Sequence, residues 1–186
     1  MNFFLVVGIA FALAMDAFAV SLGISTALEG ITKRQTLRVA FHFGFFQFMM
    51  PILGWSVGQS IQKYIEAFDH WIAFGLLLII GAKMIYESYK GEKKIKKSDS
   101  DPTKGSSLLV LSVATSIDAL AVGLSLAFLG IGIIYPAVVI GLVAFTLTVI
   151  GMKLGTVLGK LVRKRGEMIG GIILILVGAA ILLEHF

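Results

Sequence analysis

The heptapeptide Asp16-Ala17-Phe18-Ala19-Val20-Ser21-Leu22 returns 102 residues later as Asp118-Ala119-Leu120-Ala121-Val122-Gly123-Leu124. Both copies lie in apolar runs, at about 3–26 and 107–129, each long enough to cross a bilayer as a helix. Both put a carboxylate about halfway along the run. A charged side chain at the bilayer centre costs roughly 2.5–3.5 kcal/mol on insertion scales, so two equivalent ones need an explanation. The duplication extends further. At an offset of 97, Gly44, Gly54 and Gly58 fall on Gly141, Gly151 and Gly155, Gly81-Ala82 falls on Gly178-Ala179, and Glu87 falls on Glu184. A difference of five residues in one connecting loop reconciles the two offsets. The chain reads as a duplicated three-helix unit.

Further apolar runs at about 39–59, 71–89, 134–158 and 168–186 bring the expected spans to six, none with the strict alternation of a barrel strand. The expected fold is therefore an all-α integral membrane protein. Its units would be residues 1–89, a basic linker at 90–106, and residues 107–186. Because three spans per unit is odd, the second copy enters the membrane from the opposite side, the inverted-repeat arrangement of many transporters. The composition agrees: of 186 residues, 58% are hydrophobic and 15% charged, which leaves no room for a large soluble domain. The absence of cysteine excludes disulfides and thiolate metal sites. No basic stretch precedes the first run and Asp16 interrupts it, so that run reads as a retained span rather than a cleaved signal.

A net charge of +5 could suggest nucleic acid, but the basic residues are arranged for a membrane. Lys33, Arg34 and Arg38 follow span 1. Lys90, Lys93, Lys94, Lys96, Lys97 and Lys104 follow span 3, and Lys160, Arg163, Lys164 and Arg165 follow span 5. That puts 13 of the 16 Lys and Arg residues on one side and only Lys63 on the other, with Lys83 and Lys153 inside spans. The positive-inside rule makes loops 1, 3 and 5 cytoplasmic and both termini external.

The two acids lie on faces of small residues: Ala12, Asp16, Ala19 and Gly23 in span 1, and Ala114, Thr115, Asp118, Ala121 and Ser125 in span 4. Such faces let helices approach closely, so both acids are expected to point into the bundle. Two carboxylates in one low-dielectric site repel, and either a proton or a cation must sit with them. Their neighbours offer oxygen: Thr115 and Ser116 beside Asp118, Ser21 and Ser25 after Asp16, and Gln47 in span 2. Oxygen donors favour a hard divalent cation such as Mg, Ca or Mn. Asp16, Asp118, Gln47, Thr115 and Ser116 are the candidate metal ligands, while Gln47 equally suits an interhelical amide bond. Buried salt bridges to Lys83 or Lys153 are the competing structural explanation of the acids. Pro51 is expected to open its helix near Gln47. His42, nearer the cytoplasmic end, suits an interfacial or proton-handling role. Thr146 and Thr148 could line a pathway or simply pack, and Glu87 and Glu184 could be gate or surface residues. Gly54/Gly58 and Gly151/Gly155/Gly159 read as packing seams, and Trp71 as an interfacial anchor.

Four segments resemble the MntP family of manganese efflux pumps. They are Met15-Asp16-Ala17-Phe18-Ala19, His70-Trp71-Ile72-Ala73-Phe74, Gly81-Ala82-Lys83-Met84-Ile85 and Ala114-Thr115-Ser116-Ile117-Asp118-Ala119. The resemblance covers nearly all six spans, with motifs from both halves in order. It implies a bacterial inner-membrane exporter of Mn²⁺ within the superfamily that includes the lysine exporters, and it implies that Asp16 and Asp118 are required. Mn²⁺ would be substrate rather than cofactor, and the chain a transporter rather than an enzyme. In one departure, some members carry Glu where this chain has Gln47, which removes a charge from the site.

The residues taken alone reach only a hard cation, and other functions compete. Carboxylates could bind the ammonium group of an exported organic cation or amino acid. An intramembrane aspartyl protease also needs facing aspartates, but its Gly-x-Gly-Asp signature is missing, since Thr115-Ser116-Ile117 precedes Asp118. A non-transporting scaffold leaves the two midplane acids unexplained.

Overall fold

The computed structural model describes residues 3–28, 30–65 and 101–155, together with isolated helical positions at 74–75, 78–79, 82, 85–86, 172 and 175. Within these residues the chain is all helix and short connections. Helix α1 spans Phe3–Ala27 and α2 spans Lys33–Ile65. Helices α3 (Gly105–Ala114) and α4 (Ile117–Phe128) are two halves of one apolar stretch, and α5 covers Ile134–Gly155. Four stretches are long and apolar enough to cross a membrane: Phe3–Thr26, Lys33–Ser60, Gly105–Phe128 and Ile134–Gly155. They correspond to the expected spans 1, 2, 4 and 5. Most of the expected third and sixth spans lies outside the described residues, as do linker positions 90–100, Trp71, Lys83, Glu87, Gly159 and Glu184.

The connections carry recognisable end signals. Thr32 and Gln35 form a reciprocal capping box at the start of α2. Gln35 N–H donates to Thr32 Oγ1 at 3.2 Å, and Thr32 N–H donates to Gln35 Oε1 at 2.9 Å. Helix α4 ends in a Schellman motif. Gly130 N–H donates to Ala127 O, Ile131 N–H donates to Leu126 O, and Gly130 takes the left-handed φ of 65° that this closure requires.

Among the described spans, α1 is the most buried. Ala10, Ala12, Leu13, Ala14 and Ala17 have no exposure at all, as expected of a helix that is apolar on every side. Ile9, Leu13, Phe18 and Leu22 pack with Ala119, Val122 and Leu126 of α4 and Ala137 and Ile140 of α5. Ala17 and Ile24 pack with Val39 and Phe43 of α2, Leu108 of α3 and Met152 of α5. Outward positions are also apolar, among them Phe41, Phe45, Leu53, Val57, Leu142 and Ile150. A surface of this kind is suited to lipid rather than water.

Glycine seams bring the helices together and repeat the offsets of the sequence. A Cβ on Gly54 would overlap the Leu120 carbonyl, and one on Gly58 would lie 3.1 Å from the Leu124 carbonyl oxygen. In the α5–α1 seam, Cβ atoms on Gly151 and Gly155 would lie 2.8 Å and 2.7 Å from the carbonyl oxygens of Phe18 and Leu22. Between α2 and α5, Gly44 and Gly141 face each other reciprocally, each added Cβ lying 3.0 Å from the other's carbonyl oxygen. Among the described glycines, the packing role expected from the sequence is what these contacts display.

One expectation is corrected. Helix α2 runs unbroken past Pro51, and the interruption lies instead in the facing stretch, at Thr115-Ser116. Gly123 of α4 packs against Pro51 so closely that any Cβ would overlap the Pro51 carbonyl. The break follows from hydroxyls that compete for helix carbonyls. Ser112 Oγ donates to Leu108 O at 2.7 Å, Thr115 Oγ1 to Leu111 O at 3.0 Å, and Ser116 Oγ to Ser112 O at 2.8 Å. Back-bonding of this kind bends and weakens helices.

Candidate metal site

The broken stretch delivers Asp118 in the first turn of α4, directly after the interruption at Thr115-Ser116. The partial positive charge of a helix N-terminus is concentrated there, a favourable place for an acid. Asp118 is 4% exposed, and Thr115 and Ser116 are also buried. Asp16 lies in the unbroken α1 and is partly buried. The small face of span 1 points inward at Ala12 and Ala19. In span 4, Thr115, Asp118 and Ser125 are buried, but Ala114 is exposed, because the break turns the helix at that point.

Gln47 joins the two acid-bearing stretches. It is fully buried in α2, and its Nε2 donates to Thr115 O at 2.9 Å and to Leu13 O at 3.3 Å. Leu13 and Thr115 are themselves 102 residues apart, and each precedes its aspartate by three positions. Gln47 Oε1 is buried and has no hydrogen-bond partner among the described residues. The Gln47 backbone carbonyl also cannot receive the usual helical bond four residues on, because Pro51 has no N–H. Oxygen is thus concentrated around Gln47, beside the break at Thr115-Ser116.

The remaining candidates separate. Ser21 Oγ donates to Phe18 O and Ser25 Oγ donates to Met152 O, both at 2.8 Å, so these hydroxyls serve the α1–α5 seam. Thr146 is exposed and donates to Leu142 O. Thr148 is fully buried, and its Oγ1 has no partner among the described residues. Lys153 is exposed. His42 Nδ1 lies 2.8 Å from Arg38 O, which can only accept, so Nδ1 carries the proton. Among the described residues no three His, Cys, Asp or Glu side chains gather in one group. A cation here would draw on carboxylates supplemented by neutral oxygens. The Leu13 and Thr115 carbonyls were missed by reading side chains. The 102-residue repeat was the signal that could have paired them.

Toward one end of the bundle, Arg38 Nη1 donates to Thr103 O at 3.3 Å. The turn it meets is closed by Asp101, whose Oδ1 accepts from Thr103 Oγ1 at 2.7 Å and Thr103 N–H at 2.9 Å. The Thr103 hydroxyl and amide hold the Asp101 carboxyl below its usual range, with smaller help from Lys104. Toward the other end, Trp55 Nε1 donates to Ile131 O at 2.8 Å.

Comparison with known proteins places these features in context. Residues 30–182 match the family Mntp, described as "Putative manganese efflux pump". A protein of Syntrophotalea carbinolica is 56% identical over 178 residues, covering 96% of this chain and 94% of its own length. One from Nitratidesulfovibrio vulgaris is 49% identical over 187 residues, covering all of this chain and 92% of its own. One from Citrifermentans bemidjiense is 54% identical over 185 residues, covering all of this chain and 98% of its own. All three bear the name "Putative manganese efflux pump MntP". No solved structure matches the chain.

Proposed function

The chain belongs to the Mntp family, and from that premise we propose that it exports Mn²⁺ from the cytoplasm by alternating access, with Asp16 and Asp118 as the carboxylates that hold the ion. Thr115, Ser116 and Gln47 contribute neutral oxygens. The observation that carries this reading is the convergence of Leu13 and Thr115 on the single Gln47 amide. It draws toward one buried residue two stretches that each bear an acid three positions later.

Two carboxylates matched to a divalent cation leave no net charge in the low-dielectric interior, which favours occupancy. Their protonation from the outer side releases the ion, so proton influx drives export. The architecture is six spans in two inverted repeats, residues 1–89 and 107–186, joined by a cytoplasmic linker at 90–106. Both termini face outward from a bacterial inner membrane. The paired offsets of the Gly54 and Gly151 seams and the reciprocal Gly44–Gly141 contact support that symmetry.

The test is intracellular manganese in cells expressing the chain, beside Asp16→Asn and Asp118→Asn at equal membrane levels. Wild type is expected to lower cell manganese. Each variant is expected to lose about tenfold or more of the export rate, since loss of a charged partner costs at least about 1.5 kcal/mol. Normal export by both variants would remove the acids from the ion path. Unchanged manganese with wild type would remove the substrate, leaving organic cations as the next class to assay.

A further inference from the structure

We propose that Gln47 is a positioning residue of the transport cycle, whose two amide protons clasp equivalent carbonyls of the two acid-bearing helices and so set the separation of Asp16 and Asp118. The inference rests on the export reading above and adds a residue whose role is distinct from charge. Its orientation follows from chemistry: Leu13 O and Thr115 O can only accept, so Nε2 must face both, at 3.3 and 2.9 Å. An amide is the one neutral side-chain group that presents two protons from a single nitrogen. Both carbonyls occupy the same place in the two repeats, so this single side chain lies between their equivalent points.

The clasp also points its remaining atom. With Nε2 committed to the two carbonyls, Oε1 is held rigidly in a site with no exposure, and no described residue donates to it. A buried acceptor left in that state is costly. It is the atom through which the clasp contacts a passing cation or its water. Movement of either helix during alternating access must stretch one of the two bonds. Gln47 therefore links occupancy of the site to the helices on both sides of it.

Substitution by glutamate separates this role from simple packing or charge. Gln47→Glu keeps the shape, but an ionised carboxylate donates nothing and repels both carbonyls, while a protonated one donates to only one of them. One of the two bonds can then form, and only when the acid is protonated. Export by Gln47→Glu is expected to fall as pH rises, by about tenfold more than wild type across the titration of that acid. Gln47→Leu, which has no donor, is expected to raise the KM for Mn²⁺ about tenfold at every pH, the scale of one lost buried hydrogen bond.

The measurement is Mn²⁺ flux in proteoliposomes from pH 6 to pH 8. It is accompanied by amide hydrogen exchange of the segments around Leu13–Asp16 and Thr115–Asp118 in purified wild type, Gln47→Glu and Gln47→Leu. Gln47→Leu is expected to speed exchange in both segments together. If wild type moves no Mn²⁺ yet Gln47→Leu loosens both segments, the export reading falls and the clasp stands. A wild-type pH profile for Gln47→Glu, or unchanged KM and exchange for Gln47→Leu, would overturn the clasp.

Discussion

Ser112, Thr115 and Ser116 direct their hydroxyl protons at carbonyls of the preceding turn, and that local competition gives Asp118 a helix start of its own. Without the break, Asp118 would sit mid-helix like Asp16. Replacing Thr115 and Ser116 together by valine and alanine removes two of the competing donors while keeping similar size. The double variant is expected to fold with unchanged or higher thermal stability, by up to about 1 kcal/mol, but to export Mn²⁺ several-fold more slowly. Thermal unfolding in detergent and flux in proteoliposomes measure the two effects separately. A slower but equally stable protein assigns the hydroxyls to function, as ligands or through the break, and unchanged flux assigns them to packing alone.

At the scale of elements, the glycine seams set the distances between helices. Gly54 admits the Leu120 backbone, and Gly151 admits that of Phe18, with Ser21 alongside. Alanine at either place pushes its Cβ against a backbone carbonyl of the neighbouring helix, which no side-chain rotation relieves. Gly54→Ala and Gly151→Ala are each expected to cost about 1–3 kcal/mol, the usual penalty of overpacking, visible as lower melting temperature and lower membrane yield. Gly132→Ala, where nothing lies within 4 Å, is the matched control and is expected to be neutral. Equal effects at Gly54 and Gly151 would extend the 97-residue offset from geometry to energetics. These seams were legible in the sequence as glycines four apart. The partner of each seam was not, because spacing along one helix says nothing about which neighbour it meets.

For the molecule as a whole, the bonds at its two ends order the connections. Arg38 meets Thr103 near the start of α2 and α3, and Trp55 meets Ile131 beyond α4. Of the described basic residues, Lys33, Arg34, Arg38 and Lys104 therefore lie toward one end of the bundle, which the charge rule predicts to be cytoplasmic. The cysteine-free chain is suited to labelling. Single cysteines at the exposed positions Lys33 and Lys104 are expected to react with a membrane-impermeant maleimide only in opened cells or inverted vesicles. A cysteine at Gly132 is expected to react in intact spheroplasts. The reverse pattern would overturn the sidedness expected from the basic residues.

Apolar run lengths and the asymmetry of lysine and arginine were enough to establish helices of membrane-spanning length and an expected sidedness. These properties depend on hydrophobicity summed along a segment, and neighbours scarcely alter that sum. The repeat likewise named Asp16 and Asp118, since an acid inside an apolar run is conspicuous without any fold. The structure places the break of a span at Thr115-Ser116 rather than at Pro51. The cause is local, since the hydroxyls of Ser112, Thr115 and Ser116 each donate to a carbonyl of their own stretch. Tertiary structure decided that Gln47 reaches Leu13 and Thr115. Those acceptors are backbone carbonyls, which every residue carries, so only the approach of three helices could single them out.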